Sequence, residues 1–297
     1  MRHFLDVDDL DATELAAVLE LATMVDPPRV LAGRGAALIF EKPSNRTRNA
    51  TEIAVFALGG HPVYIQGAEL GLGVREPVSD VVRALAQYHA VLGARVHDHR
   101  MLEAMAASDV LPVVNLLSDL SHPCQAVADI LTFRQAWGST AGRRVAWVGD
   151  GNNVARSLTL AAALTGIDVV LACPAGHCLD PSVIERAGAL GGAVSVASTA
   201  AEAVAGADAV ATDVWVSMGQ EAQATERVDA FAGYQVDDAL MAMAAPGAIF
   251  LHCLPAHRGL EVAASVIDGP ASRVWTQAGN RMHAARALIL WLMGIRP

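Results

Sequence analysis

The sequence predicts an α/β protein built from two doubly wound parallel-sheet domains. Short apolar runs such as Ala36 to Phe40, Val145 to Val148, Val169 to Ala172 and Ile249 to His252 alternate with stretches of helical period. Such unbroken apolar runs suit strands covered by helices on both faces. The chain has 297 residues, too many for one small core and suited to two α/β domains with room for a cleft. Hydrophobic residues make up 53% and aromatics only 5%, so the core must be built mainly from Ala, Val and Leu.

The first unit opens with Leu10, Leu15, Val18, Leu19 and Ala22 at near-helical spacing, for which Asp8 or Asp9 can serve as cap. Pro27-Pro28 stops that helix. A strand over Ala36 to Phe40 leads through the polar loop Glu41 to Arg46 into a helix from Thr47 to Leu58, closed by Gly59-Gly60. Pro62 to Ile65 is the next strand, and Gly67, Gly71 and Gly73 mark a long loop. A helix from Val78 to Tyr88, a strand over Ala90 to Val96 and another at Val113 to Asn115 complete the unit.

A helix from Pro123 to Trp137 leads out of this unit, and Gly138 to Gly142 breaks it. The second unit then runs through a strand at Val145 to Val148, a helix at Val154 to Thr165 and strands at Val169 to Ala172, Ala193 to Val196, Ala209 to Thr212 and Ile249 to His252. Met282 to Met293 is apolar enough to pack as a final helix that returns to the first unit. The expected boundaries are residues 1–130, 131–275 and 276–297.

The formal net charge of -10 disfavours binding to nucleic acid or an anionic membrane surface, yet it leaves room for a small anion held by a few arginines. No run approaches the roughly 18 apolar residues of a membrane span. The start MRHFLDVDDL lacks an apolar signal stretch. Cys124, Cys173, Cys178 and Cys253 include one close pair in Cys173-Pro-Ala-Gly-His-Cys178, and no second pair exists to close a structural zinc site. A reducing cytoplasm and no metal are therefore expected.

Gly149-Asp150-Gly151-Asn152-Asn153-Val154-Ala155 follows a strand and loosely imitates a dinucleotide-binding turn. That fold also wants an acidic residue about 20 positions on, at the end of the second strand. Here the strand ends Ala172-Cys173-Pro174, so a nicotinamide cofactor is not expected. Asn152 and Asn153 remain available either to cap the next helix or to reach a ligand at the strand ends.

Three further groups carry chemistry. Ser44-Asn45-Arg46-Thr47-Arg48 lies between a strand and a helix, where free amide N–H groups and the helix field favour an anion. Arg46 adds a forked pair of charge-assisted donors suited to phosphate, whereas Arg48 can instead point away into a structural ion pair. In Ser121-His122-Pro123-Cys124-Gln125, His122 can donate to a carbonyl oxygen that gathers charge, and Gln125 can bind an amide through both ends of its side chain. In His252-Cys253-Leu254-Pro255, the thiol is open to three readings, as nucleophile, hydrogen-bonding group or buried filler. Backbone carbonyls beside Pro255 can also accept from a substrate NH2.

In order, Phe40-Glu41-Lys42-Pro43-Ser44-Asn45-Arg46-Thr47-Arg48, His122-Pro123-Cys124-Gln125, Asp213-Val214-Trp215-Val216-Ser217-Met218-Gly219, His252-Cys253-Leu254-Pro255 and Asn280-Arg281 resemble the aspartate/ornithine carbamoyltransferase family. The likeness runs from Phe4 to about Met293. It implies a carbamoyl phosphate-binding first domain, an amino-acid-binding second domain, a cleft between them and a C-terminal segment packing back on the first. It also implies transfer of a carbamoyl group to the side-chain amine of L-ornithine, with citrulline and phosphate as products and no cofactor.

By the same resemblance, Ser44, Asn45, Arg46 and Thr47 hold the phosphate, and Arg95 bridges phosphate and carbonyl. His122 faces the carbonyl oxygen, while Gln125, Cys253 and Leu254 hold the carbamoyl NH2. Arg281 closes on the phosphate from the other domain. Asn153, Asp213, Ser217 and Met218 grip ornithine, with Asp213 on the α-ammonium. Asn45 departs from the family's more common threonine but keeps a donor. A homotrimer or an assembly of trimers, a cytoplasmic location and a place in arginine biosynthesis are implied as well. Transfer to putrescine or an N-acylated ornithine is the alternative enzyme reading. A silent binding subunit is the other, and the set Arg46, Arg95, His122, Cys253 and Arg281 argues against it.

Overall fold

In the computed structural model, which describes residues 1–216 and 221–297, the chain divides into two compact units. One comprises Met1–Leu131 with Gly279–Pro297, the other Thr132–Ala278.

The first unit begins with α1, Ala12–Ala22, whose cap differs from the expected Asp8 or Asp9. Asp11 accepts from the Glu14 N–H and Glu14 reaches back to the Asp11 N–H, a reciprocal capping box that Asp-x-x-Glu spacing permits. Asp9 is instead used in a short turn of its own, accepting from Leu5 and Asp6 N–H groups. The strands are β1 (Gly35–Phe40), β2 (His61–Gln66), β3 (His89–Arg95) and β4 (Val113–Leu117), with helices α2 (Asn45–Ala57), α3 (Gly67–Leu70), α4 (Val78–Leu85) and α5 (His99–Ala106) between them. Helix α5 and the one-turn α3 lie where the sequence suggested only connection. The four strands are parallel in the order β2-β1-β3-β4. Ile39, Leu92, Ala94 and Val113 pack against Val81 and Val82 of α4 and Leu102 and Met105 of α5. Helix α6, Pro123–Trp137, follows β4.

The second unit holds β5 (Arg144–Val148), α7 (Asn153–Leu164), β6 (Asp168–Ala172), α8 (Pro181–Ala189), β7 (Val194–Val196), α9 (Ala200–Val204), β8 (Ala209–Thr212), α10 (Ala224–Ala230), α11 (Asp238–Met241), β9 (Ile249–His252) and α12 (Ala264–Ile267). Its five parallel strands run β7-β6-β5-β8-β9. Every residue of α7 from Val154 onward is buried.

Helix α13, Val274–Leu292, starts well before the expected Met282, and from Gly279 onward it groups with the first unit. Ala285 and Ile289 share a small apolar space with Leu38, Val55, Val114 and Leu116. Arg286 donates to the carbonyls of Ala22 (3.0 Å) and Met24 (2.6 Å), which ties this helix to the end of α1. The returning C-terminal helix and the two doubly wound parallel sheets match the sequence expectation.

Strand order also locates the ligand sites. In the first sheet the chain goes from β1 outward to β2, then crosses back to β3 on the other side, so the crevice opens between the carboxyl ends of β1 and β3. In the second sheet the same reversal falls between β5 and β8.

Candidate active site

In the first unit, Phe40 and Arg95 are paired at the carboxyl ends of β1 and β3, beside the reversal of strand order. Glu41 N–H donates to the Arg95 carbonyl at 2.9 Å, which fixes where the loop leaves β1. Ser44 caps α2 by accepting from Thr47 N–H at 3.3 Å. The first turn of α2 contains no acidic residue, so its positive end is not neutralised locally. Arg48 turns away, paired with Glu52 at 2.8 Å and stacked 3.8 Å over the Tyr64 ring, which makes it the structural arginine. Asn45 and Asn49 are linked through their amides at 2.9 Å, with the Asn45 oxygen accepting.

Arg281 donates to Thr47 Oγ1 at 2.6 Å, and both residues are buried. The resemblance implied an arginine arriving from the other domain. Instead Arg281 belongs to the first unit, because α13 has already returned there by Gly279. The Thr47 hydroxyl, having accepted from Arg281, keeps its own proton to give to a ligand.

His122 precedes Pro123, the first residue of α6, and its carbonyl accepts from Gln125 N–H at 3.0 Å. The loop before it is pinned by Ser121 donating to Asp6 (2.8 Å) and Asn115 donating to the Leu5 carbonyl (2.8 Å). Burial, with the charges of Arg281, Arg95 and Arg46 adding to it, pushes the His122 imidazole well below its ordinary 6.5. A neutral imidazole in the field of three guanidinium charges is suited to donate a hydrogen bond to an oxygen that becomes negative. Neighbouring Cys124 is pushed up to about 12 by burial, and its thiol donates to the Asn115 carbonyl at 3.3 Å, so it is a packing residue.

Gln125 has one end of its amide partly engaged. Its Nε2 donates one of its two hydrogens to Asp129 at 2.8 Å, and its Oε1 is an acceptor. Gln125 Oε1 and Arg46 Nε are buried and have no hydrogen-bond partner among the described residues. One is an acceptor suited to an NH2 group and the other a donor suited to an anion.

In the second unit, Asn152 resolves the choice left open for the Asn pair. Its Oδ1 caps α7, accepting from Val154 (2.9 Å) and Ala155 (3.1 Å), and its Nδ2 donates to Asp213 Oδ2 at 2.8 Å. Asn153 is the first residue of α7. Asp213 follows β8 and lies at the reversal between β5 and β8, buried, with its other oxygen accepting from the Cys253 thiol at 3.1 Å. Cys253 is therefore a hydrogen-bonding group in this structure. Ser217 and Met218 lie outside the described residues.

Glu261 and Gln277, which no motif singles out, hold this wall in place through His252. His252 Nδ1 accepts from Leu254 N–H at 2.9 Å, so its Nε2 carries the proton toward Glu261 at 3.2 Å. Burial raises the Glu261 carboxyl, but hydrogen bonds from His252 and the His257 N–H outweigh it and keep the group below its ordinary value. Gln277 accepts from His252 N–H at 3.0 Å. Leu254 adopts a left-handed φ of 61° before the cis peptide to Pro255. Asp213, His252 and Cys253 bring donor atoms within 4.8 Å of one another, a set capable of holding a metal ion. Both His252 nitrogens are already engaged, so metal capture there must displace Leu254 or Glu261.

A family model for the carbamoyl phosphate-binding domain of aspartate/ornithine carbamoyltransferases matches residues 2–135, and one for the Asp/Orn-binding domain matches residues 141–292. The chain belongs to the aspartate/ornithine carbamoyltransferase family. Among family members, an ornithine carbamoyltransferase from Acidothermus cellulolyticus is 47% identical, over 99% of this chain and 97% of that protein. One from Methanothermobacter thermautotrophicus is 45% identical, over 99% of both. The solved ornithine carbamoyltransferase from Pyrococcus furiosus matches with a TM-score of 0.94 at 44% identity, covering 99% of this chain and 97% of that one. Family membership thus extends over both units.

Proposed function

We propose that the chain transfers the carbamoyl group of carbamoyl phosphate to the side-chain amine of L-ornithine, giving L-citrulline and phosphate. The observation that carries this reading is a buried His122 ahead of α6, kept neutral by burial and by the charges of Arg281, Arg95 and Arg46, with Arg281 donating to Thr47 in the first turn of α2. The relatives named ornithine carbamoyltransferase support the choice of amino acid.

Carbamoyl phosphate binds first, its phosphate on Ser44, Asn45, Arg46, Thr47 and Arg281, its carbonyl oxygen on Arg95 and His122. Gln125 Oε1 and the backbone at Cys253 and Leu254 accept from its NH2. Ornithine is held by Asn153, Asp213, Ser217 and Met218. Its reactive amine has a lysine-like reference pKa of about 10.4 and must shed a proton before it attacks. The Asp213 carboxylate, with the Cys253 thiol already donating to it, binds ornithine's cationic α-end, and Cys253 biases the reactive amine toward its neutral form.

Attack of the amine nitrogen on the carbonyl carbon forms a C–N bond and moves a pair of electrons onto the carbonyl oxygen, beside Arg95 and His122. Collapse breaks the C–O bond to phosphate, which leaves with that bond's electrons onto Arg46 and Arg281. The departing phosphate takes the extra proton from the nitrogen, and citrulline remains. No metal or organic cofactor enters these steps.

We further propose a homotrimer working in the cytoplasm in arginine biosynthesis. No helix among the described residues is long and apolar enough to cross a membrane. Citrulline formation by the purified protein, compared with ornithine, putrescine and N-acetylornithine as acceptors, tests the activity. A preference for either of the last two overturns the ornithine assignment, and no carbamoyl transfer to any acceptor overturns the reaction.

A further inference from the structure

Cys173 and Cys178 have no part in the chemistry above, yet their placement is specific. They bracket the turn between β6 and α8, at the carboxyl edge of the second sheet, and both are half-buried. The chain reverses between them, with His177 N–H donating to the Pro174 carbonyl at 3.0 Å and Gly176 at a φ of 79°. This reversal sets the two cysteines at the two ends of one hydrogen-bonded turn, close enough for each thiol to perturb the other's ionisation.

The turn is held against the amino-acid half-site at both ends. Tyr234 donates to the Cys173 carbonyl at 3.1 Å, and Gly151 N–H donates to the His177 carbonyl at 2.7 Å. Gly151 approaches so closely that a Cβ there would lie 2.5 Å from the backbone of Cys178 and Leu179. The next residue, Asn152, is the one that holds Asp213. A second route leads the same way. The Asp150 carboxylate pairs with Arg227 at 2.6 Å, and Arg227 donates to the carbonyl of Trp215, two residues beyond Asp213.

We propose that Cys173 and Cys178 are a reversible dithiol–disulfide pair whose oxidation shifts the Gly151-Asn152 turn and weakens binding of the amino acid. The functional part of this inference rests on the ornithine reading of the second unit. Cys178 is the attacking sulfur, since the neighbouring Cys173 thiol lowers its pKa while Cys173 itself is raised. The oxidant is a small-molecule disulfide. The Cys178 thiolate attacks one of its sulfurs and releases one thiol. Cys173 loses its proton and attacks the Cys178 sulfur of the mixed disulfide, releasing the second. Two cysteine thiols are oxidised, and one external disulfide is reduced to two thiols. Forming the bond draws the sulfurs to the roughly 2.05 Å of a disulfide, and the clamped turn must move to allow it.

The test equilibrates the full-length protein with mixtures of reduced and oxidised glutathione, maps disulfides by peptide mass without reduction, and measures both Michaelis constants. The expected result is a peptide linked through Cys173 and Cys178, with an ornithine KM raised about tenfold, reversed by dithiothreitol, and an unchanged carbamoyl phosphate KM. A shift of that size is within the roughly 10²-fold cost of misplacing a positioning group by about 1 Å. Cys173→Ser should stop at glutathione on Cys178, and Cys178→Ser should form no linked peptide. Both should keep the KM of the reduced protein.

Absence of the linked peptide across the glutathione series overturns the pair. A linked peptide with unchanged ornithine KM, or a KM shift that persists in the double serine variant, overturns the coupling. Failure of the reduced protein to make citrulline would refute the ornithine reading alone, because the peptide map on the unaltered chain decides the dithiol by itself.

Discussion

At the scale of single residues, the two half-sites differ in what they ask of a side chain. Arg46 offers charge to an anion, so Arg46→Ala is expected to raise the carbamoyl phosphate KM and to lower kcat/KM by on the order of 10²-fold, with circular dichroism unchanged. Asp213 holds Asn152 and Cys253 together. Asp213→Asn should therefore raise the ornithine KM by on the order of 10²-fold and leave that of carbamoyl phosphate near its starting value. Steady-state kinetics on the two variants check both halves of this pairing, and unchanged constants would remove either residue from its role. His122 makes a statement about acid. Its folded pKa lies below the unfolded 6.5, so the unfolded chain binds its proton first. Above pH 6.5 neither state is charged and no penalty exists. As pH falls below 6.5 the unfolded state is favoured, down to the folded pKa. Urea unfolding from about pH 7.5 to about pH 5 should show a shallower acid loss for His122→Asn than for the parent chain. Much of this was legible in the sequence because Arg46, His122 and Cys253 stand next to strand or helix ends, where local pattern names them. Glu261 and the Asn152–Asp213 contact were not, since each acquires its role only when residues distant in the chain are folded together.

Among the elements, the strands were read more accurately than the helices. Buried parallel strands are short apolar runs bounded by polar residues, so β8 and β9 were expected at Ala209–Thr212 and Ile249–His252, where they occur. Helix α5 was missed because eight residues with two basic side chains at the start carry little apolar periodicity, and its cap at Asp98 is recognisable only from its bond to Arg100 N–H. The first turns of α13 were missed because Gly279 and Asn280 look like punctuation, although burial of Val274, Gln277 and Asn280 makes them part of one helix. Tertiary packing overrode propensity there. The turn after β5 shows the converse, where a glycine is needed for space. Gly151→Ala puts a Cβ against the backbone of Cys178 and Leu179, an overpacking that typically costs about 1–3 kcal/mol. Its expected signature is a lower melting temperature and a raised ornithine KM without change in the carbamoyl phosphate KM, and a variant with parental values for all three would show that the turn yields freely.

For the whole molecule, the fold class was legible because the alternation of apolar runs and helical stretches occurs twice, whereas the crossing of the chain back to its first unit was suggested by only one apolar segment near the end. That crossing has a temporal consequence. Thr47 and Arg281 are 234 positions apart, so during synthesis on the ribosome the partner of Thr47 emerges only after the whole second unit has been made. The strands of the first unit can pair early, but the guanidinium from α13 is delivered last. A nascent chain arrested before Arg281 should already possess the Asn152–Asp213 contact while being unable to retain carbamoyl phosphate, and arrested chains released with and without the last 20 or so residues would display that difference by equilibrium dialysis. The cell is thereby spared a half-made protein that captures a reactive acyl phosphate before it has anything to do with it.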